Sequence, residues 1–136
     1  ASHYWLLIHA MNRYRRKFAK QFEQQGLDVL LSPAFALPAM CHDDGIDLLP
    51  AGSHAMLQNL VGGPGGMVPW SRVLEGEETD RQANRDGAIR RAIKTETDSV
   101  GLPVGVQVSS LPWQEHRVLA VMRELQHDIR SRQRSG

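Results

Sequence analysis

One short segment holds several side-chain types that bind metals. Cys41, His42, Asp43 and Asp44 are consecutive, and His54 follows further along the chain. Structural zinc sites usually take paired ligands at short, regular spacing, whereas this chain has a single cysteine. The pattern therefore favours a polar loop, and we predict no metal site here.

Two adjacent serines are the best candidates for nucleophilic catalysis. Ser109 and Ser110 follow a strand-like segment, but neither a G-x-S-x-G elbow nor an S-x-x-K motif surrounds them. The three lysines that could act as bases, Lys17, Lys20 and Lys94, all lie in helical or charged surface segments. Because a serine hydroxyl needs a base beside it, these residues make no complete catalytic set. We therefore assign no catalytic residue.

The glycine-rich run at 62–66 differs from known phosphate-binding loops. A P-loop needs Gly-Lys-Ser/Thr after its glycines, and a dinucleotide fingerprint needs a strand before a G-x-G-x-x-G turn. Neither pattern is present in this run, G-G-P-G-G. It is typical of a tight turn, and we predict no cofactor.

Basic residues concentrate between Arg13 and Lys20. They share a predicted helix with apolar residues at helical spacing, which favours the solvated face of an amphipathic helix. The alternative is an anion or nucleic-acid site formed together with segment 130–134. Sixteen basic against fifteen acidic side chains give a net charge of only +1. Nucleic-acid-binding domains usually concentrate an excess of basic residues, so we predict no nucleic-acid partner.

A chain of 136 residues and 15.2 kDa fits one domain. Its composition, 41% hydrophobic and 23% charged, is typical of soluble globular domains. The single cysteine, Cys41, excludes an internal disulfide and suits a reducing compartment. No apolar run approaches the ~20 residues that a membrane-spanning helix needs. The sequence begins Ala-Ser, so we expect it to be part of something longer.

Hydrophobic periodicity and turn residues predict alternating helices and strands, and therefore an α/β fold. The predicted helices are 3–25, 53–61 and a last helix from Trp113 onward, and the predicted strands are 27–31, 67–73 and 104–108. Pro69 fits an edge strand or a bulge better than a sheet centre. Segment 74–99 is predicted as a surface excursion with a weak helix at 82–94, and segment 130–136 as a disordered tail.

Several motifs, in order along the chain, resemble one hydrolase family. The segments that carry the resemblance are 27–33 (L-D-V-L-L-S-P), 64–69 (P-G-G-M-V-P), 101–108 (G-L-P-V-G-V-Q-V) and 111–115 (L-P-W-Q-E). Their order and spacing resemble the C-terminal region of amidase-signature hydrolases. Trp113 and the helix sequence at 119–125 are most similar to the fatty acid amide hydrolase branch. The resemblance covers residues 3 to about 127.

The resemblance implies the C-terminal part of the amidase-signature fold, with helices packed on a mixed β-sheet. In this family a lysine acts through a cis-peptide serine on a nucleophilic serine, and the reaction needs no metal or organic cofactor. Those residues belong to a part of the family that lies upstream of the region matched here. The resemblance also implies that Gly52 and Met56 line an acyl-chain channel, where Gly52 replaces a larger apolar residue.

Two hypotheses follow. In the first, residues 1–136 are the C-terminal portion of a serine hydrolase whose substrate is a lipid amide, and the portion alone is inactive. In the second, the chain is a naturally truncated, non-catalytic amidase-like protein that acts as a binding or regulatory partner. For the hydrolase we expect an intracellular protein that contacts a membrane surface or a second copy of itself through a segment upstream of this sequence.

Overall fold

Apolar residues at helical spacing form the first helix where the sequence predicts it. In a computed structural model, which describes residues 2–42, 44–83 and 85–135, helix α1 spans Ser2–Gln24. Gly26 follows with a φ of +65°, a left-handed conformation that glycine adopts without strain. The side chains of residues 133–135 are outside this description. The predicted bounds of 3–25 are thus confirmed to within one residue.

The other elements alternate as the sequence predicts. They are β1 (Leu30–Pro33), a 3-10 helix (Leu49–Gly52), α2 (Ser53–Val61), β2 (Gly65–Arg72), α3 (Gly87–Thr97), β3 (Pro103–Ser109) and α4 (Glu115–Ser135). The predicted bounds of α2 are confirmed at both ends. Gly62 ends the helix with a φ of +75°. Strand β1 begins three residues later than predicted, since Leu30 is the first residue that pairs with β3.

Strand β3 lies at the centre of a three-stranded sheet with the order β1-β3-β2. It runs antiparallel to both neighbours, and Ser109 is opposite Leu30 on one side and Gly65 on the other. The α/β class is confirmed. We expected a mixed sheet, but the described strands form only antiparallel pairs, because β3 runs opposite to both flanking strands. The placement of Pro69 is confirmed, since β2 is an edge strand with an irregularity between Pro69 and Ser71.

Helix α4 covers one face of the sheet. Val68 and Val108 lie on that face, and both are fully buried. A Cβ atom at Gly66 would collide with Sδ of Met122, so the glycine lets α4 approach β2 closely. The helix continues to Ser135, although the sequence predicted a disordered tail from residue 130. Gly136 is outside the described residues.

The last turns of α4 have side-chain partners that explain their helical structure. Arg132 pairs with Asp128 at 2.7 Å, one turn earlier, and its guanidinium lies 5.2 Å from the ring centre of Trp70. Ion pairs at this spacing and cation–π contacts each stabilise a helix end modestly. Before α4, exposed Trp113 has a φ of +67°, so the helix begins only at Glu115.

Segment 74–99 is attached to the protein more firmly than a surface excursion. Its helix α3 begins at Gly87, not at the predicted residue 82, because the Asp86 carboxylate accepts hydrogen bonds from the N–H groups of Ala88 and Ile89. Thr95 and Glu96 are buried near its end. Before α3, the described residues 74–83, 85 and 86 are exposed, except for Glu78, which is partly buried.

A small hydrophobic core joins α3 to the segment between β1 and α2. Leu37, Leu48 and Ala92 form this core, and Phe35 and Met40 pack against it. The second face of the sheet lies nearby, where the Gln107 amide reaches the Ser32 hydroxyl and the His54 carbonyl at 3.5 Å each. Leu37 and Leu48 of this segment are therefore buried against α3, whereas Cys41, His42 and Ile46 are exposed.

Candidate functional site

An apolar cavity lies between segment 34–40 and the second face of the sheet. Its volume is about 340 Å³, which is at the lower end of the range for ligand pockets. Phe35, Leu37 and Met40 contribute one wall, and Met67 and Gly105 belong to the opposite wall. All of its lining residues are Ala, Gly, Pro, Val, Leu, Met or Phe. Such a lining suits a hydrocarbon group.

Backbone hydrogen bonds fix the wall of this cavity. The Ala36 N–H donates to the Ala51 carbonyl at 2.9 Å, and the Ala51 N–H donates to the Leu48 carbonyl at 2.9 Å. Leu37 and Leu48 are buried in the small core beside it. The wall is therefore tied to the 3-10 helix that leads into α2.

Gly52 lies directly behind this wall. It is buried at the end of the 3-10 helix, directly before α2, and a Cβ atom there would be 3.1 Å from Cε2 of Phe35. Because Phe35 lines the cavity, Gly52 influences its shape through this ring. Met56 lies one turn further along α2, is 41% exposed and is not among the cavity's lining residues. The structure thus brings Gly52 to the cavity indirectly and leaves Met56 at the surface.

The opposite wall depends on two residues that sequence reasoning missed. A Cβ atom at Gly105 would lie 2.7 Å from Sδ of Met67, so the glycine leaves room for the methionine to lie across β3. The register places Met67 opposite Gln107 and Pro69 opposite Gly105, on this face of the sheet. The available signal was the glycine inside an otherwise valine-rich strand, since such a glycine often marks a close approach.

A second cavity of about 280 Å³ lies between segment 36–51 and α3. Leu48, Ala88 and Ala92 are among its apolar lining residues. The exposed charged residues Asp47 and Arg81 also line it, so its lining is partly charged. Leu37 lines both this cavity and the first one.

Ion pairs hold α3 over this second cavity. Arg91 pairs with Asp47 and also lies 3.6 Å from the Asp44 carboxylate. Lys94 lies 3.7 Å from the other oxygen of Asp44. Glu96, at the end of α3, accepts from Arg81 Nε at 2.8 Å and from the Thr79 hydroxyl at 2.6 Å. These contacts help to hold the helix that forms one wall of the cavity.

The residues considered for a metal site are placed at the surface. Cys41, His42 and His54 are exposed, and Asp43 is outside the described residues. Asp44 faces the basic side chains of α3 instead. Within the part of the chain that the structure describes, no three His, Cys, Asp or Glu side chains are grouped to hold a metal ion.

The hydroxyls of the two adjacent serines form hydrogen bonds that stabilise the sheet. Ser109 and Ser110 are both buried, and their hydroxyls donate to the carbonyls of Leu30 at 3.3 Å and Asp28 at 2.7 Å. These hydrogen bonds join the end of β3 to the segment that enters β1. A nucleophile would instead have a base within hydrogen-bond reach of its hydroxyl. Both hydroxyls thus take part in hydrogen bonds within the fold, and that they are not the catalytic serines stays a prediction.

Part of the basic cluster on α1 has a structural role. Arg15 Nε donates to the Leu60 carbonyl at 2.6 Å and so fastens α1 to the end of α2. The first turns of α1 are different, since Tyr4, Trp5, Leu6 and Leu7 are each more than half exposed. No helix within the described ranges is both long and apolar enough to cross a lipid bilayer.

Comparison with known proteins gives consistent matches. The sequence profile of the Amidase family matches residues 1–119. The chain is 33% identical to fatty acid amide hydrolase 1 of Caenorhabditis elegans over 116 residues, which are 83% of this chain and 20% of the relative. It is also 33% identical to fatty-acid amide hydrolase 1 of Sus scrofa over 129 residues, 90% of this chain and 22% of the relative. The chain thus spans about a fifth of the length of these curated relatives.

Proposed function

Because the chain belongs to the amidase family, we propose that it is the C-terminal portion of a serine hydrolase that cleaves fatty acid amides. In that reaction the serine hydroxyl attacks the amide carbonyl, the amine leaves with a proton, and water then releases the fatty acid from the acyl-serine. The nucleophile, the bridging serine and the lysine base belong to a region upstream of this sequence. No residue of the present chain has a catalytic role in this proposal.

The observation that supports a lipid substrate most directly is the cavity of about 340 Å³ beneath segment 34–40. Burial of hydrocarbon there is favourable by about 0.8 kcal/mol for each methylene group removed from water. No charged side chain is among its lining residues, so a bound ligand needs no polar group there. We propose that this cavity contains part of the acyl chain while the amide group lies at the catalytic serine.

Gly52 and Met56 have different places in this proposal. Gly52 shapes the cavity from behind, through its contact with the Phe35 ring. Met56 projects from α2 with 41% of its surface exposed. Its thioether is adaptable enough to form a channel wall, and we propose that it faces the acyl chain outside the first cavity.

The test begins with the intact mass of the native protein, captured with an antibody raised against residues 123–134. We expect a mass several times 15.2 kDa. One portion of the captured protein is treated with a fluorophosphonate, which labels activated serines by bonding to the hydroxyl oxygen, and a separate, untreated portion is assayed with octadecanamide. Labelling at a serine outside this sequence together with release of octadecanoic acid would support the proposal. A protein of that mass with neither labelling nor hydrolysis would contradict it.

A second candidate function is supported by the exposed apolar residues of α1. Tyr4, Trp5, Leu6 and Leu7 leave an apolar surface on one end of the molecule, and β1 and β2 are both edge strands. Such surfaces often bind another chain. Under this alternative the protein is a truncated amidase-like partner or regulator, its native mass is near 15.2 kDa, and it co-purifies with a larger protein.

Localisation and partners follow from the first proposal. We propose an intracellular hydrolase whose partners are its lipid amide substrate and either a membrane surface or a second copy of the protein. The free Cys41 thiol suits a reducing compartment. Fractionation of cells with the same antibody tests this, since a secreted protein would appear in the medium.

A further inference from the structure

Leu37 lies between two separate cavities. It lines the cavity of about 340 Å³ against the sheet and also the cavity of about 280 Å³ against α3. Among the described residues, it is the only residue that both linings include. Its exposed fraction is only 9%. The side chain is therefore part of the barrier between the two spaces.

We propose that Leu37 is a specificity-determining residue that limits the length of the alkyl chain bound in the first cavity. The second cavity is then an extension that becomes available to the end of a longer chain when the Leu37 side chain is shortened. This inference rests on the proposed function for the identity of the ligand, an unbranched alkyl chain. The arrangement of the two cavities is independent of that function.

The path of the backbone supports this role. Ala36 lines the second cavity and Pro38 lines the first, so the chain crosses from one cavity to the other at Leu37. The backbone here is held by the hydrogen bond from the Ala36 N–H to the Ala51 carbonyl at 2.9 Å. Because the backbone is fixed, the size of the side chain at residue 37 decides how far the barrier extends.

The second cavity can accept hydrocarbon. Leu48, Ala88 and Ala92 provide an apolar lining, although Asp47 and Arg81 also contribute to it. An alkyl chain that passes residue 37 would gain contacts with these apolar side chains. Each methylene group buried on the way is worth roughly a fourfold gain in affinity. A gain of about tenfold requires only two such groups.

The test uses two probes on the intact native protein. Each probe carries the same dye, attached through an ether to a dodecyl or an octadecyl chain, so that hydrolysis cannot remove it. Fluorescence anisotropy gives the dissociation constant of each probe. In Leu37→Ala we expect the preference for the octadecyl over the dodecyl probe to rise about tenfold relative to the unmodified protein. Leu37→Val, which removes less volume, should give a smaller rise in the same direction.

Leu48→Ala is the matched control. Leu48 is a buried core leucine like Leu37, but it lines only the second cavity. Its truncation enlarges that cavity and leaves the barrier in place, so the preference between the probes should stay unchanged. Leu37→Met, which keeps the volume, should also leave it unchanged. Thermal melting of every variant shows which of them are folded, and Leu37→Val keeps the test valid if Leu37→Ala unfolds.

Three results would overturn the inference. The first is an unchanged preference in folded Leu37→Ala or Leu37→Val, and the second is an equal rise in Leu48→Ala. Failure of the unmodified protein to bind either probe would also overturn it. Octadecanamide hydrolysis is measured separately. A rise in preference without hydrolysis would contradict the proposed function and support the role of Leu37. Hydrolysis with an unchanged preference would support the proposed function and contradict the role of Leu37.

Discussion

The Ser110 hydroxyl donates a hydrogen bond of 2.7 Å to the main-chain carbonyl of Asp28. The carboxylate of the same aspartate pairs with Arg117 at the start of α4. Asp28 is thus held from two sides, by the end of β3 and by the following helix. These contacts fix the point at which the chain leaves α1 and enters the sheet.

Replacement of Ser110 by alanine should lower stability without the effect expected for a nucleophile. The substitution leaves the Asp28 carbonyl without its donor, which costs about 1–3 kcal/mol. We expect this loss in the free energy of unfolding, measured with urea on the intact protein. Loss of a catalytic nucleophile would instead abolish hydrolysis in protein that remains folded, and that outcome would contradict the structural role. Ser71→Ala, at an exposed serine of β2, is the control.

Glu96 should be one of the more sensitive residues of segment 74–99. It is buried, and its carboxylate accepts from Arg81 at 2.8 Å and from Thr79 at 2.6 Å. Glu96→Gln removes the charge that Arg81 faces, so we expect a loss of about 1–3 kcal/mol. Hydrogen exchange should also become faster at the amides of α3. Glu75→Gln, at an exposed carboxylate of the same segment, should leave both measurements unchanged; an equal effect there would refute a specific role for Glu96.

Gly52 should not tolerate even a methyl group without a change in the cavity. A Cβ atom there would be 3.1 Å from Cε2 and 3.3 Å from Cδ2 of Phe35, so the ring must move. We expect Gly52→Ala to cost about 1–3 kcal/mol and to weaken binding of the dodecyl probe. Gly87→Ala is the control, because a Cβ atom at Gly87 meets nothing within 4 Å. Unchanged probe binding in Gly52→Ala would show that this residue does not influence the shape of the cavity.

The ion pairs of Arg91 should give α3 a salt-dependent stability. Arg91 faces both Asp44 and Asp47, and its own side chain is 44% exposed. We expect Arg91→Gln to cost about 0.2–1 kcal/mol in dilute buffer. The cost should shrink at ~1 M NaCl, where the screening length is only about 3 Å. Arg90→Gln, on the neighbouring exposed position of the helix, is the control. A loss that persists unchanged in high salt would point to packing instead of charge.

Local sequence signals predicted the elements better than their partners. The bounds of α2 were predictable because Gly62 ends a short apolar run, and Pro69 correctly indicated an edge strand. The start of α3 had a usable signal in Asp86, whose carboxylate caps the helix. The start of β1 had none, since Leu30 is defined by its pairing with distant Ser109. The register of a strand depends on its partner, and one sequence does not contain that information in local form.

The candidate site was less predictable for a related reason. The resemblance directed attention to Gly52 and Met56 on one helix, whereas the cavity wall depends on Phe35, Met67 and Gly105 from three separate segments. Their contact arises from tertiary packing that no spacing along the chain encodes. The burial of Glu96 was missed in the same way, because its partners precede it by 15 and 17 residues in an irregular segment.

The central position of β3 also has a consequence for biosynthesis. Ser109 is 79 residues after Leu30, its partner on β1. At about 5–20 residues per second, the ribosome needs roughly 4–16 s to add those residues. During that time β2 is also made, but β1 and β2 lack the strand that joins them, and their open edges can pair with other nascent chains. A premature stop codon between α3 and β3 would therefore leave β1 and β2 without the strand that pairs with both, and we expect its product to depend on chaperones and to be degraded.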